Sequence, residues 1–451
     1  MTATATRPAR AGIVTQYGML AGPLLSMMDS SIVNVAVVPI SRGLHTSLST
    51  AQWTVSGYML ALGTGLAGTA WLARRFGTIP VYRASLIAFT VASAACAFAP
   101  DADGLVAARI LQGLVAAPLV PLAMSMLLGE GGKAKSIPAI AGILLFAGPA
   151  LGPAVGGALI GAAGWRTIFA VNLPLGALAA VAAWRLPDGD GVRRYGEKFD
   201  VTGLVMLAGG LGVLLYGVTE HAWLVAVAGA ALLAGYGWHA ARTSSPALDL
   251  SLARRPVAAL SMGLCAMASV VTWAAVFLLP VFAQQVQGHS ALAAGVAMAP
   301  QGIVTGLSTA LLRNVKLPVR LTVVCGFAVL AAASLGILAI GVRTPLWVIA
   351  VILAVRSVSI GAVVNPLLTA LTDRVDPGRM ADASTLFNVA QRIAGSFGIG
   401  LLAALYTDLA LSSGPVRALH VTGLVIAGIA ACGGLAAGFL PGHSTARATS
   451  A

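Results

Sequence analysis

The chain has 451 residues, of which 58% are hydrophobic and only 9% charged. A soluble domain averages about 25% charged residues, so water is not the solvent for most of this chain. The formal net charge of +13 is spread over short segments and forms no basic soluble module, which argues against a nucleic-acid-binding protein.

Apolar runs long enough to cross a bilayer fill the sequence, since a hydrocarbon core of about 30 Å needs about 20 residues. The first run contains Pro23 and Asp29 and has no cleavage-site pattern, so it predicts a retained helix and not a signal peptide. In chain order the runs are 16–38, 50–73, 79–99, 104–128, 136–161, 165–184, 201–219, 222–240, 257–284, 291–312, 320–341, 345–370, 383–407 and 417–440.

These runs predict an all-α integral membrane protein with fourteen transmembrane helices, arranged as two six-helix bundles plus two extra central helices. The predicted parts are an N-terminal six-helix bundle (1–184), a cytoplasmic linker (185–199), two additional helices (200–241), a second cytoplasmic linker (242–256), a C-terminal six-helix bundle (257–440) and a cytoplasmic tail (441–451). Lys and Arg concentrate in alternate segments, which predicts that both termini are cytoplasmic and that the membrane is the cell membrane.

Four charged residues fall deep inside predicted spans, namely Asp29, Arg109, Arg356 and Arg392. Such groups cost roughly 2.5 to 3.5 kcal/mol to insert and usually mark a pathway. Asp29 is the candidate proton carrier; the alternative is a fixed structural partner that bonds to Ser30, Ser31 or Asn34. Arg109, Arg356 and Arg392 can likewise be structural. One deep acid against three deep arginines favours neutral or anionic substrates over dications.

The fifth run places Gly148, Gly152 and Gly156 on one helix face, with Pro149, Pro153 and Gly157 among them. Small residues allow close helix contact and prolines bend a helix. We expect a hinge or a seal here, and a generic packing face is the alternative.

Other chemistry has little support. The four cysteines share no metal-ligand spacing, which predicts neither a disulfide nor a metal site. Gly129 to Lys133 has the wrong spacing for a phosphate loop, and no catalytic constellation is readable. We therefore expect a protein that is not an enzyme and that uses no cofactor other than the proton as coupling ion.

Several motifs occur in the order found in one transporter family. They are Met28 to Ala36 in the first span, Trp53 and Tyr58 in the second, Arg109, Gln112 and Gly113 in the fourth, the Gly-Pro pairs of the fifth, and Gly164 to Pro174. Together they resemble the fourteen-span drug:proton antiporter branch of the major facilitator superfamily. The loop after the second span, with Gly77, departs from the family signature because Arg74 stands where the family has an acid.

The resemblance implies proton-coupled export of hydrophobic drugs or antibiotics by alternating access, with Asp29 and Arg109 in proton coupling. Candidate substrate-binding residues, each of which could instead satisfy interhelical hydrogen bonds, are Trp53, Tyr58, Gln112, Gln301, Asn365, Asn388 and Gln391. Candidate residues of the conformational motifs are Asn34, Arg74, Gly77, Gly113, Gly148, Pro149, Gly152, Pro153, Gly156 and Gly157.

The expected partners are a lipophilic small molecule and membrane lipid, with no nucleic acid, and the expected state is a monomer. Two other functions stay open at this point. One is a dedicated exporter of a single metabolite or self-made antibiotic, and the other is a non-transporting membrane sensor or scaffold, because a fold does not determine a function.

Overall fold

The computed structural model describes residues 13–128, 139–186, 199–312, 317–373, 375–376 and 379–441. Every regular element in these ranges is a helix. In chain order they are α1 (Ile13–Ile32), α2 (Val37–Gly43), α3 (Leu48–Phe76), α4 (Thr78–Ala97), α5 (Ala102–Ala116), α6 (Leu119–Leu128), α7 (Ala139–Ala163), α8 (Thr167–Ala170), α9 (Asn172–Trp184), α10 (Val201–Thr219), α11 (Trp223–Arg242), α12 (Pro256–Gln285), α13 (Ala291–Leu312), α14 (Val319–Leu335), α15 (Leu346–Thr372), α16 (Met380–Ser413) and α17 (Pro415–Ala437).

Length and composition alone identify eleven of the described helical segments as able to cross a membrane. The number is up to twelve if α1 and α2, which meet at a bend of 64°, form one span. The predicted count of fourteen is not reached by this criterion. Two long helices, α3 with 29 residues and α7 with 25, stand outside it.

Several predicted spans are broken where a continuous helix was expected. The first span breaks at the 3-10 turn Val33–Val35, and the fourth breaks between α5 and α6 next to Pro118. Proline lacks a backbone N–H, so Pro39 cannot donate to the carbonyl of Val35 four residues earlier. Gln284 of α12 donates to that carbonyl instead, with Nε2 3.1 Å from the oxygen. The hydrogen bond at this break therefore connects α12 to the first span.

The helices pack as an N-terminal group, α1 to α9, and a C-terminal group, α12 to α17. Helices α10 and α11 pack against each other, and α10 also contacts α3 and α16. The two groups meet along two pairs of helices, α7 with α13 and α3 with α16. We call the end of the bundle where α1 begins the near end and the end where α2 leads into α3 the far end.

The polar segment between α11 and α12 is folded onto the near end. The carboxylate of Asp200 accepts hydrogen bonds from His239 at 2.7 Å and from the backbone N–H of Ala247 at 3.1 Å. Burial raises the pKa of Asp200, but these bonds and the N–H of Gly203 outweigh it and hold the pKa below its usual range. Most of the predicted linker 185–199 and the tail 441–451 lie outside the described residues.

Candidate functional site

Asp29 and Arg109 form an ion pair inside the N-terminal group. Arg109 Nη1 lies 2.6 Å from Asp29 Oδ2, and each side chain is only 1% exposed. The guanidinium also donates to the carbonyl of Thr54 at 2.9 Å and to the side chain of Gln112 at 2.6 Å. Three helices, α1, α3 and α5, therefore meet at one buried charge pair, and removing either partner would leave an uncompensated buried charge.

Asn172, which the sequence analysis did not select, completes the surroundings of Asp29. Its amide donates to Asp29 Oδ1 at 2.9 Å and to Ser93 Oγ at 3.0 Å. Ser93 in turn donates to the carbonyl of Phe169 at 3.0 Å. Asn172 belongs to the motif block Gly164 to Pro174, but an amide within an apolar run does not by itself reveal its partner.

Tyr58 covers the ion pair on its other side. The guanidinium carbon of Arg109 lies 4.0 Å from the centroid of the Tyr58 ring, a cation–π contact. The Tyr58 hydroxyl accepts a hydrogen bond from Ser30 at 3.3 Å and lies 3.4 Å from Ser26 Oγ. A predicted substrate-binding residue is thus placed in the ion-pair network, as is Gln112.

The opposite face of α1 and of the 3-10 turn that follows it lines a central cavity of about 240 Å³ between the two groups of helices. Met27, Ser30, Ser31 and Asn34 follow the i, i+3, i+4, i+7 spacing of one helix face, whereas Asp29 points into the N-terminal group. The cavity's lining residues are Met27, Ser30, Ser31, Asn34, Pro153, Thr272, Trp273, Val276, Met298, Gln301, Gly302, Thr305, Arg356, Ser357, Ile360 and Arg392.

Two of the predicted substrate-binding residues lie at cavities. Gln301 lines the central cavity, and Gln391 lines a smaller one of about 130 Å³ that shares Trp273 with it. Asn365 and Asn388 are exposed and line neither of these cavities.

Trp53, on α3, packs against α10 and lines neither of these two cavities. Its ring centroid lies 6.3 Å from that of Tyr216 on α10. It contributes to the contact by which α10 packs on α3.

These features can be compared with known proteins. The profile described as Major Facilitator Superfamily matches residues 19–399. The chain belongs to the major facilitator superfamily. The multidrug resistance protein B homolog of Mycobacterium tuberculosis is 33% identical over 404 residues, which make up 85% of this chain and 74% of the relative. The multidrug export protein EmrB of Escherichia coli is 28% identical over 416 residues, or 88% of this chain and 80% of EmrB.

The major facilitator fold is also visible in solved structures. An auto-inhibited peptide transporter of the POT family superposes with a TM-score of 0.69 at 15% identity, over 96% of this chain and 98% of that one. The family profile and the drug-efflux relatives confirm the resemblance predicted from the motifs at the level of the superfamily and of its drug-efflux members.

The glycines of α7 allow this helix to pack closely against two other helices. Gly148, Gly152 and Gly156 face α1, and a β carbon on Gly156 would lie 3.0 Å from a side-chain carbon of Ile32. Gly157 faces α13, where a β carbon would lie 2.5 Å from the carbonyl oxygen of Ala291. These glycines therefore hold α7 against α1 within one group and against α13 of the other. The side chain of Pro149 lies outside the described residues.

Arg74, which replaces the acid of the family signature, lies at the near end in a polar cavity of about 270 Å³. Asp200, Asp249 and Asp382 line the same cavity. Asp382 belongs to the first turn of α16, so the base at the end of α3 shares this cavity with acids from other elements. Gly77 ends α3 with φ of 94°, a conformation that favours glycine.

Gly113 brings α5 close to α3. A β carbon there would lie 3.1 Å from the Ala61 side chain and 3.2 Å from the backbone nitrogen of Leu62. The glycine after the Arg109 motif thus lets the helix that carries Arg109 approach the helix that carries Tyr58.

Proposed function

We propose that this protein exports hydrophobic small molecules across the cytoplasmic membrane in exchange for protons. The observation that carries the proposal is the buried ion pair of Asp29 and Arg109, which shares α1 with a cavity between the two halves of a major facilitator fold. The names of the relatives as multidrug resistance and export proteins support drug or antibiotic cargo.

The proposed topology has fourteen spans with both termini in the cytoplasm. It adds α3 and α7 to the twelve segments counted by length and composition. It is supported by the excess of arginines at the near end over the far end among the described residues. The near end is then cytoplasmic. The proposed partners are the lipophilic cargo and membrane lipid, and the proposed working unit is a monomer that uses no cofactor besides the proton.

The proposed cycle rests on what protonation does to the ion pair. A proton on Asp29 removes the charge that Arg109 neutralises, so the guanidinium must shift toward Thr54, Gln112 and the Tyr58 ring. Thr54 and Tyr58 lie on α3, Gln112 lies on α5 and Asp29 lies on α1, so a shift there favours a different packing of these three helices. The two halves would then rock around the central cavity, as in alternating access.

The energy available is sufficient for export without ATP. One proton that moves down a potential of 100 mV supplies about 2.3 kcal/mol. At 1.36 kcal/mol per decade, that corresponds to a cargo gradient of roughly 50-fold.

The test is proton movement in reconstituted vesicles that contain a pH-sensitive dye. A panel of neutral, anionic and cationic dyes and antibiotics is added to the wild type, to Asp29→Asn and to Asp408→Asn. Asp408 is the matched control because it is 53% exposed and pairs with His221 away from the site. Cargo-dependent proton movement in the wild type and in Asp408→Asn, lost in Asp29→Asn, is expected. Movement that persists in Asp29→Asn contradicts the proton site, and no movement with any compound contradicts transport.

A further inference from the structure

The C-terminal wall of the central cavity carries two arginines and, among the described residues, no carboxylate. Arg356 of α15 is only 2% exposed. Its Nη1 donates to the carbonyls of Thr272 at 2.7 Å and Val271 at 3.2 Å, but its Nε has no hydrogen-bond partner in the described part of the chain. An unpaired buried donor on a charged group is costly.

Arg392 of α16 is the second cation of this wall. Its guanidinium carbon lies 6.0 Å from the centroid of the Trp273 ring. No ion pair of Arg392 is present within the described residues. Two cations therefore face one largely apolar cavity without a counter-ion, and the desolvation of a charge is repaid only by a partner of opposite sign.

The deep acid of the protein cannot serve as that partner. Asp29 is bound to Arg109, Gln112 and Asn172, and it points away from the cavity on α1. Since no other carboxylate lines the cavity within the described part of the chain, a bound ligand is the remaining source of the counter-charge there.

We propose that the cargo is a lipophilic monoanion whose carboxylate, or an acidic group of similar shape, binds Arg356 and Arg392. Its apolar body lies against Trp273, Val276 and Met298, which line the same cavity. This inference rests on the proposed function, because it names the cargo that the exporter carries.

The opposite wall offers one further contact to such a ligand. Asn34, in the 3-10 turn that follows α1, is 1% exposed and its side-chain oxygen has no hydrogen-bond partner within the described residues. A hydroxyl or amide N–H of the ligand would satisfy it. The cavity thus has an acceptor on the N-terminal wall and donors on the C-terminal wall.

The test is equilibrium binding to the purified full-length protein in nanodiscs, with three naphthyl probes whose polar group is anionic, neutral or cationic. The probes are 2-naphthylacetate, the neutral 2-naphthylacetamide and the cationic (2-naphthylmethyl)trimethylammonium. We expect the wild type to bind the carboxylate about tenfold more tightly than the amide, because charge-assisted hydrogen bonds exceed neutral ones by that order. The cation should bind weakest.

Substitutions of Arg356 and Arg392 test whether these two residues bind the carboxylate. Arg392→Gln and Arg356→Gln should each lose the preference for the carboxylate while they still bind the amide, and Arg356→Lys should keep part of it because the charge remains. Arg343→Gln, on an exposed arginine at the far end, is the matched control and should bind as the wild type does. Amide binding and the unfolding temperature show whether each variant is folded; if Arg356→Gln is not, Arg392→Gln and Arg356→Lys decide.

Equal binding of the three probes by the wild type overturns the proposal, as does a carboxylate preference that survives in folded Arg392→Gln. Binding needs no gradient, so its result is independent of transport. Carboxylate binding through the arginines without any cargo-dependent proton movement would contradict the proposed function and leave this site standing.

Discussion

Ser30 of α1 donates a hydrogen bond to the hydroxyl of Tyr58 on α3 across 3.3 Å. Ser30 lines the central cavity, and the Tyr58 ring lies over the guanidinium of Arg109. Ser30, Tyr58 and Arg109 therefore form a continuous series of side-chain contacts from the cavity to the ion pair. A ligand that displaces the Ser30 hydroxyl would therefore act on the surroundings of Arg109.

Tyr58→Phe is expected to weaken the exchange between cargo and proton while leaving cargo binding nearly intact. The ring over Arg109 remains, but the hydrogen bond to Ser30 is lost, at a cost of about 1 kcal/mol in stability. The measurement is the ratio of protons moved to cargo moved in vesicles. Tyr406→Phe, on a buried tyrosine of α16, is the control. An unchanged ratio in Tyr58→Phe would show that this series of contacts carries no coupling.

Asn172→Ala should lower both stability and proton-coupled transport. The substitution leaves Asp29 Oδ1 and Ser93 without the amide that donates to both. Loss of a buried hydrogen-bond partner costs about 1 to 3 kcal/mol, which thermal unfolding in detergent measures. Asn388→Ala is the control, because that exposed amide donates only to the carbonyl of Ser384 on its own helix. Equal effects of the two substitutions would contradict this role for Asn172.

Gly157→Val is expected to open the far end. A side chain at this position cannot fit against the backbone of Ala291, where α7 meets α13. The distance between spin labels at positions 103 and 343, in a background in which the four cysteines are replaced by alanine, should increase relative to the parent. Gly161→Val is the control on the same helix, since nothing lies within 4 Å of a β carbon there. No change in the label distance would show that this contact does not set the spacing of the two groups of helices at the far end.

Arg74→Asp, which restores the acid of the family signature, should impair transport in this protein. It would place a fourth carboxylate in the near-end cavity already lined by Asp200, Asp249 and Asp382, and like charges at short range repel. Arg74→Lys keeps the charge and should retain most of the activity. The rate of cargo export from cells separates the two variants; a fully active Arg74→Asp would contradict a need for positive charge at position 74.

Acid pH should weaken the attachment of segment 243–255. The pKa of Asp200 is held below its usual range in the folded protein. Its stabilisation is therefore complete above the ordinary carboxylate pKa of about 3.9 and is lost as the pH falls through the folded value. The difference in melting temperature between the wild type and Asp200→Asn should shrink below about pH 4. A difference that is constant with pH would exclude Asp200 as the titrating group.

The hydropathy of the sequence predicts the position of many of the helices. The predicted run 201–219 coincides with α10, and 257–284 differs from α12 by one residue at each end. Hydropathy cannot locate breaks such as the one after Ile32, because the break reflects a hydrogen bond that Pro39 cannot make and that Gln284 replaces from a distant helix.

The candidate site was likewise predicted from the sequence only in part. A carboxylate and an arginine within apolar runs predict each other, and the structure brings Asp29 and Arg109 together. Asn172 could not be assigned, because an amide in a span has many possible partners until the packing of α9 on α1 is known. The substrate roles suggested for Asn365 and Asn388 stay predictions, and the structure places both on exposed positions.

The ion-pair network is built wholly from the first six predicted spans, whereas both arginines of the cavity belong to the last six. On this arrangement, mutations that alter the choice of cargo can accumulate in one half of the gene while the half that holds the ion pair stays constant. A lineage that meets a new toxic acid, base or neutral compound can then adapt by replacing two or three residues of α15 and α16. Chimeras that exchange the C-terminal half between relatives would inherit the cavity arginines of one parent and the ion pair of the other.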